Sequence, residues 1–346
     1  GQRCSALRCL YVQDDIAPDL IRMIKGAMNE LTLGDPWQIS TDVGPVIDRA
    51  AHAQIAEHID NARRDGRVLH ALTAPEDGHF IPPTLIAVPG IAALEREVFG
   101  PVLHVATFGG DDLDAVVGAV NATGYGLTFG LHTRIDTRVQ EIADGVHAGN
   151  IYVNRNQIGA VVGSQPFGGE GLSGTGPKAG GPLYLGRFVK PAPPGEAGSW
   201  TGVADLEALK SRLSASGADR LLSQTELPGP TGEANALSER PRGPILCLGP
   251  GQATEAAQVG AVEALGGIAV GAGGRVAPET LSEISGMAGV IWWGDDAADF
   301  ARALAARPGA IIPLITGMPD RAHVVHERHL CIDTTAAGGN AALLAG

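Results

Sequence analysis

Residues 1–5, GQRCS, put a cysteine on a glycine-led turn just ahead of an apolar run. A cysteine placed this way can present its sulfur to a cleft while its own backbone N–H helps receive an oxyanion, the arrangement that nucleophilic attack on a carbonyl needs. Alone, Cys4 is weak ground, because most free cysteines pack as small buried hydrophobes. Three later stretches bear on it: EREVFGPVLHV over 95–105, NATGYGLTFGLHT over 121–133 and SQPFGGEGLSGTGPKAGGP over 164–182. Taken singly, Glu97 in the first is a surface acid, and the last is a glycine loop that turns the chain. The other cysteines, Cys9, Cys247 and Cys331, sit in apolar strand contexts and read as structural. None of the four forms a CxxC pair or joins a histidine cluster at zinc spacing, so no metal site is expected. His323, His326 and His329 recur at intervals of three and could line a helix face, though surface or packing roles suit them equally. LGPGQATEA at 248–256 has the look of a dinucleotide turn but lacks the full GxGxxG and its acidic partner.

The elements that must position these residues alternate. Residues 17–31 carry Leu20, Ile21, Ile24, Met28 and Leu31 at helical spacing, and 48–65 predict a second helix stopped by Gly66. RVLHAL, FIPPTLI and PVLHVATF predict short strands, helical signals return over 111–121 and 134–148, and GNIYVN predicts a strand. Asn154 at its end either organises backbone near a site or caps a turn. The pattern predicts an α/β domain with a largely parallel sheet. Residues 190–242 are rich in Pro and Gly and read as an extended connection holding one short helix near 203–216. Strand and helix then alternate again to the end, a smaller Rossmann-like α/β unit. The expected domains are 1–190, a connection over 191–241, and 242–346.

Composition narrows the function classes. A chain of 346 residues has room for roughly two domains. A formal net charge of −13 repels a polyanion, and 4% aromatic residues make a poor base-stacking surface, so no nucleic-acid partner is expected. Four cysteines in a chain this long suit a reducing compartment. No signal peptide is evident and no apolar run reaches the ~20 residues of a membrane span, which points to the cytoplasm.

Taken together and in order, GQRC, EVFGP, YGL and PFGG…SG resemble the C-terminal half of the aldehyde dehydrogenase superfamily across about residues 1–190. The resemblance implies that Cys4 is the thiolate that attacks an aldehyde. The hemithioacetal gives hydride to NAD, and the thioester is then hydrolysed. It implies that Glu97 holds the nicotinamide ribose and that Phe99 packs near the nicotinamide. The loop over 164–182 is similar to the aldehyde anchor loop of L-glutamate-γ-semialdehyde (1-pyrroline-5-carboxylate) dehydrogenases. By that likeness Gly180 and Gly181 bind the substrate carboxylate through backbone N–H groups, aided by Ser5, and Phe167 walls the methylene chain. The tail LCIDTTAAGGNAALLAG and the second α/β unit resemble the C-terminal region of the long-form proline utilization A family. There a proline dehydrogenase barrel carrying FAD comes first, and the last domain acts as a lid over the cavity between two active sites. The same resemblance puts the general-base Glu, an oxyanion Asn and the ribose-binding Lys upstream of Cys4. The chain then reads as a fragment of a longer protein, inactive alone and homo-oligomeric when whole. The alternatives are an aldehyde dehydrogenase for another aldehyde, or a piece kept for assembly without catalysis.

Overall fold

A computed structural model of the chain describes residues 1–192, 194, 198–217 and 220–335. The segment AAGGNAALLAG of the tail lies outside the described residues. The chain divides into two units. The first comprises Gly1–Gly124, Asp144–Val146 and Gln157–Gly159, and the second holds Tyr125–Ala143, His147–Asn156 and the residues from Ala160 onward.

The first unit is built on β1 (Cys9–Gln13), α1 (Ala17–Asn29), α2 (Arg49–Arg64), β2 (Val68–Ala71), β3 (Thr84–Ala87), β4 (Val102–Phe108) and α3 (Leu113–Ala122). Its sheet runs β1-β4-β3-β2. The β1–β4 and β3–β4 pairs are parallel and β2–β3 is antiparallel. Strand β4 shows why the unit has two cores. Successive side chains point to opposite faces. Val102 and Ala106 therefore join Ile86, Ile55 and Ile59 of the α2 face, while Val105 joins Leu85, Val12 and the apolar stripe of α1. Helix α2 begins where the Asp48 carboxylate accepts from the Ala51 N–H at 2.7 Å. It carries Arg63 and Arg64 in its last turn, favourable against the helix dipole. Gly66 then leaves the helix at φ +70°, a conformation that costs glycine little. In FIPPTLI the strand starts only at Thr84, because Pro82 and Pro83 have no N–H to pair.

The second unit contains β5 (Tyr125–Gly126), β6 (Thr128–Leu131), most of α4 (Asp136–Gly145), β7 (Asn150–Val153), β8 (Glu170–Gly171), α5 (Leu206–Ala215), β9 (Ser223–Leu227) and β10 (Glu233–Pro241). It continues with β11 (Ile245–Cys247), α6 (Gln252–Ala264), β12 (Ala269–Gly271), β13 (Gly289–Ile291), α7 (Ala297–Ala305), β14 (Leu314–Ile315), α8 (Arg321–Val324) and β15 (Val325–Asp333). The expected Rossmann-like layer is present: β12-β11-β13-β14, all parallel. Leu209 and Leu213 of α5 and Phe300 and Leu304 of α7 cover one face, and Val262 of α6 the other.

A second sheet departs from the expected layout. Its order is β6-β7-β15-β10-β9, so strands from 128–153, from 223–241 and from the end of the described chain share one sheet. Residues 190–242 read as an extended connection from their Pro and Gly, yet nine of them form β10, paired along its full length with β15. The Pro and Gly residues fall before the strand and at its end, with Pro241 its last residue. The histidines at intervals of three also change reading. His323 belongs to the short α8, whereas His326 and His329 lie on β15, where a spacing of three sends side chains to opposite faces. Among the described residues no group of three His, Cys, Asp or Glu could hold a metal ion. No described helix is long and apolar enough to cross a membrane.

Candidate active site

The cysteine turn closes where the Ala6 N–H donates to the Arg3 carbonyl at 3.0 Å, with Cys4 and Ser5 at its two central positions. Cys4 is exposed, and its N–H donates to no acceptor among the described residues. An outward thiol and an uncommitted amide on one residue are what attack on a carbonyl with oxyanion capture requires. The other three thiols are unsuited to it. Burial pushes Cys9 and Cys331 up to about 11 and Cys247 up to about 12, so all three stay protonated near neutral pH. Ser5 is 5% exposed, and its carbonyl accepts from the Gln157 side chain at 3.1 Å.

Arg8, four residues past the nucleophile, joins this turn to EVFGP. Its guanidinium donates to the Gly1 carbonyl at 2.6 Å and to the Arg3 carbonyl at 2.9 Å. It also grips Glu97 Oε1 from Nε at 2.9 Å and from Nη2 at 2.8 Å. The same group lies 4.8 Å above the centre of the Phe99 ring. The two backbones meet so closely that a β-carbon on Gly1 would fall 1.8 Å from the Gly100 carbonyl oxygen. Cys4, Ser5, Glu97 and Phe99 are thus brought into one neighbourhood. Behind it, His104 Nδ1 donates to the Arg8 carbonyl at 2.9 Å, and His58 lies 2.8 Å from the other ring nitrogen. Burial pulls His104 down to about 4. Burial, with Arg67 and Arg96 adding to it, lowers His58. The pair is therefore neutral at pH 7, with His58 donating to His104.

The glycine loop lies in the second unit. Phe167 and Ala179 exchange backbone hydrogen bonds of 3.0 and 2.8 Å, which sets Phe167 beside Gly180 and Gly181. The loop is held by a buried cation. Lys178, 2% exposed, donates from Nζ to the Gly149 carbonyl at 2.7 Å, to Asn150 Oδ1 at 2.9 Å and to the Gly168 carbonyl. Its backbone N–H donates to Glu327 Oε2 on β15 at 2.8 Å. Burial pulls the ammonium down to about 7, against the attraction of Glu170 and Glu327. Glu170 is itself gripped by Arg328 at 2.8 and 3.0 Å. Burial works to raise the Glu170 carboxyl, but the Arg328 bonds outweigh it and keep it ionised.

Two expected donors fare differently here. Gly180, at φ +71°, has open space where a side chain would stand. The Gly181 N–H is committed to the Lys178 carbonyl at 3.0 Å, and Glu327 Oε1 lies 3.2 Å from the position of a Gly181 β-carbon. A committed donor beside a carboxylate is a poor receiver for a second carboxylate, which runs against the expectation for Gly181. Asn154 resolves towards the capping reading. At φ 59° its side chain both accepts from and donates to the Thr133 backbone, at 2.9 and 2.8 Å.

Sequence reasoning missed Arg8, Gln157, Lys178 and Glu327. Lys178 had a signal, being the lone cation in a glycine-rich run. The others had none, because their partners are 89, 152 and 149 residues away.

A model of the aldehyde dehydrogenase family matches residues 1–191. Bifunctional protein PutA of Salmonella typhimurium is 40% identical over 404 aligned residues, covering 99% of this chain and 31% of its own length. This chain therefore spans about a third of that relative. A crystal structure of a Bradyrhizobium japonicum proline utilization A variant is 53% identical with a TM-score of 0.54, over 55% of this chain and 20% of that one. A 1-pyrroline-5-carboxylate dehydrogenase from Thermus, solved with bound NAD, is 31% identical with a TM-score of 0.50, over 55% and 37%.

Proposed function

The chain belongs to the aldehyde dehydrogenase family, and from that premise we propose that it carries the nucleophile-bearing part of an NAD-dependent L-glutamate-γ-semialdehyde dehydrogenase. In a bifunctional parent this is the second step of proline breakdown to glutamate. The observation that carries the reading is the turn itself. An exposed Cys4 with an uncommitted amide is tied through Arg8 to Glu97 and Phe99.

The Cys4 sulfur forms a bond to the aldehyde carbon, and the carbonyl oxygen, now an oxyanion, is received by the Cys4 N–H. NAD, when bound, supplies the acceptor for the hydride leaving that carbon. Water then cleaves the thioester, freeing the carboxylic acid and the Cys4 thiol. The residues present fit the cofactor in part. Arg8 Nε and Nη2 converge on Glu97 Oε1, which leaves Oε2 for ribose hydroxyls, and Phe99 is 43% exposed beside it. FAD belongs to the proline dehydrogenase domain the family likeness implies, and no residue described here is assigned to it. The same likeness supports a homo-oligomeric, cytoplasmic parent in which residues 242–346 serve as a lid.

The far end of the substrate has two readings. By resemblance, Phe167 lines the methylene chain and Gly180 receives the carboxylate. A second reading follows from Gln157, two residues before Gly159, whose side chain donates to the Ser5 carbonyl. Gly159 stands at φ +79° with open space where a side chain would stand, as a glycine that lets a ligand come close to the backbone would.

The test uses the full-length protein and follows NADH formation with pyrroline-5-carboxylate. Turnover that Cys4→Ala abolishes supports the reading. Turnover of simple aldehydes without this one moves the protein to another substrate, and turnover of neither assigns the fold to assembly. A rise in KM from Gly159→Val but not Gly180→Val decides for the second reading of the carboxylate end.

A further inference from the structure

We infer that Arg8 is a positioning residue that sets the nucleophile turn and the cofactor carboxylate in a single frame. The inference rests on the reading of Cys4 and Glu97 just given and extends it to a residue no motif assigned.

The geometry is that of a hub. Nε, Nη1 and Nη2 all donate, to the Gly1 and Arg3 carbonyls leading into Cys4 and to one carboxylate oxygen 89 residues away. The side chain is 17% exposed. A surface arginine paired for solubility would spend its donors on water and on one acid. Here the carbonyls of Gly1 and Arg3 flank the segment that ends in Cys4, so fixing them fixes the approach of the sulfur and the amide. Because Nε and Nη2 meet on Oε1 alone, the Glu97 carboxylate is held at one oxygen with the other left to accept hydroxyls. The guanidinium also lies over one face of Phe99, which holds the ring and leaves its other face for a flat ligand.

Arg8 is itself fixed from behind. Its carbonyl accepts from the His104 backbone N–H at 3.2 Å and from the ring Nδ1 at 2.9 Å. His104 is 1% exposed on β4. The frame is therefore anchored in the sheet, as a site that must hold two groups at a fixed separation requires. Lysine cannot replace this arginine, since a single ammonium cannot span a fork of carbonyls and a carboxylate together.

The experiment compares wild type with Arg8→Lys, Arg8→Met, Glu97→Gln and the Arg8→Met/Glu97→Gln double variant in the full-length protein. It reads NAD affinity by fluorescence titration, kcat and KM, and the rate of Cys4 alkylation by iodoacetamide without cofactor. The expected result is a rise of about tenfold in the Kd and KM for NAD in both Arg8 variants, the usual scale for losing hydrogen bonds to a charged group. The Cys4 alkylation rate shifts severalfold in the same variants. The double variant binds NAD no worse than Glu97→Gln, because both changes remove one device. If Glu97→Gln weakens NAD while Arg8→Met stays within twofold of wild type on every readout, Arg8 is overturned and the cofactor reading stands. If Glu97→Gln leaves NAD binding unchanged, the cofactor reading fails. The alkylation arm, which needs no cofactor, still judges whether Arg8 sets the turn. Should Arg8→Met fail to fold, Arg8→Lys decides, since it keeps the charge and loses only the fork.

Discussion

Replacing Lys178 with methionine keeps the length of the side chain and removes its ammonium. Three acceptors lose a donor, but they are not equally exposed to the loss. The Gly149 carbonyl keeps the His329 N–H at 2.9 Å, and Asn150 Oδ1 keeps the Gly168 N–H at 3.1 Å. The Gly168 carbonyl keeps no other partner among the described residues. One orphaned carbonyl and two weakened ones cost about 2 kcal/mol near pH 7.5, where the folded side chain is mostly the neutral amine and the cost of withholding its proton from water is recovered in the variant. The cost has a pH dependence of definite sign. The folded pKa of Lys178, about 7, lies below its unfolded value. The unfolded chain therefore binds more protons across the interval between the two values, and wild-type stability gains about 1.4 kcal/mol per pH unit from this group. The penalty for burying the charge is complete below pH 7 and lifts as pH rises towards the unfolded pKa. The variant has no such term, so the stability gap widens by about 2 kcal/mol between pH 7.5 and 9, to about 4 kcal/mol. Thiols and tyrosines with raised pKa titrate alike in both proteins and cancel in the difference. Urea unfolding followed by tryptophan fluorescence reads the right unit, because Trp200, Trp292 and Trp293 all belong to it. A gap that stays flat or narrows over that window refutes a depressed Lys178.

Two further outcomes follow from the same chemistry. In native protein at pH 8, iodoacetamide should modify Cys4 at least ~100-fold faster than Cys9, Cys247 or Cys331, whose thiolates are suppressed by burial, with mass spectrometry of peptides as the readout. Comparable labelling of all four without denaturant would contradict the burial described. Arg328→Met should cost about 3–5 kcal/mol in urea midpoint terms, because it strands Glu170, whose side chain is 10% exposed, without its bidentate partner. A loss below 1 kcal/mol would mean the pair behaves as a surface ion pair.

Elements whose signals are local are legible in the sequence. The stripe of Leu20, Ile21, Ile24 and Met28 announces α1, and Gly66 marks the end of α2. What was not legible depends on partners distant in sequence. Strand β10 reads EANALSERP, with a single leucine and two alanines among polar residues. Its identity comes from pairing with β15 about ninety residues on, and no local propensity reports that. The candidate site divides along the same line. Cys4, Glu97 and Phe99 were marked by short motifs. Arg8 was unmarked, because what distinguishes it is a carboxylate brought near by the β1–β4 pairing.

The place of β15 also has consequences for how the molecule comes into being. It sits between β7 and β10 and is the last of the five strands to leave the ribosome. Until it arrives, β7 and β10 each present a row of unpaired backbone donors and acceptors, adhesive edges of the kind finished proteins conceal. The contact that conceals β7 spans about 180 residues, and such long closures are slow. Between the synthesis of β10 and that of β15, about ninety residues later, the nascent chain thus holds a slot shaped for one strand. Exchange of β15 between copies of the chain is thus the misassembly to which this topology is most open.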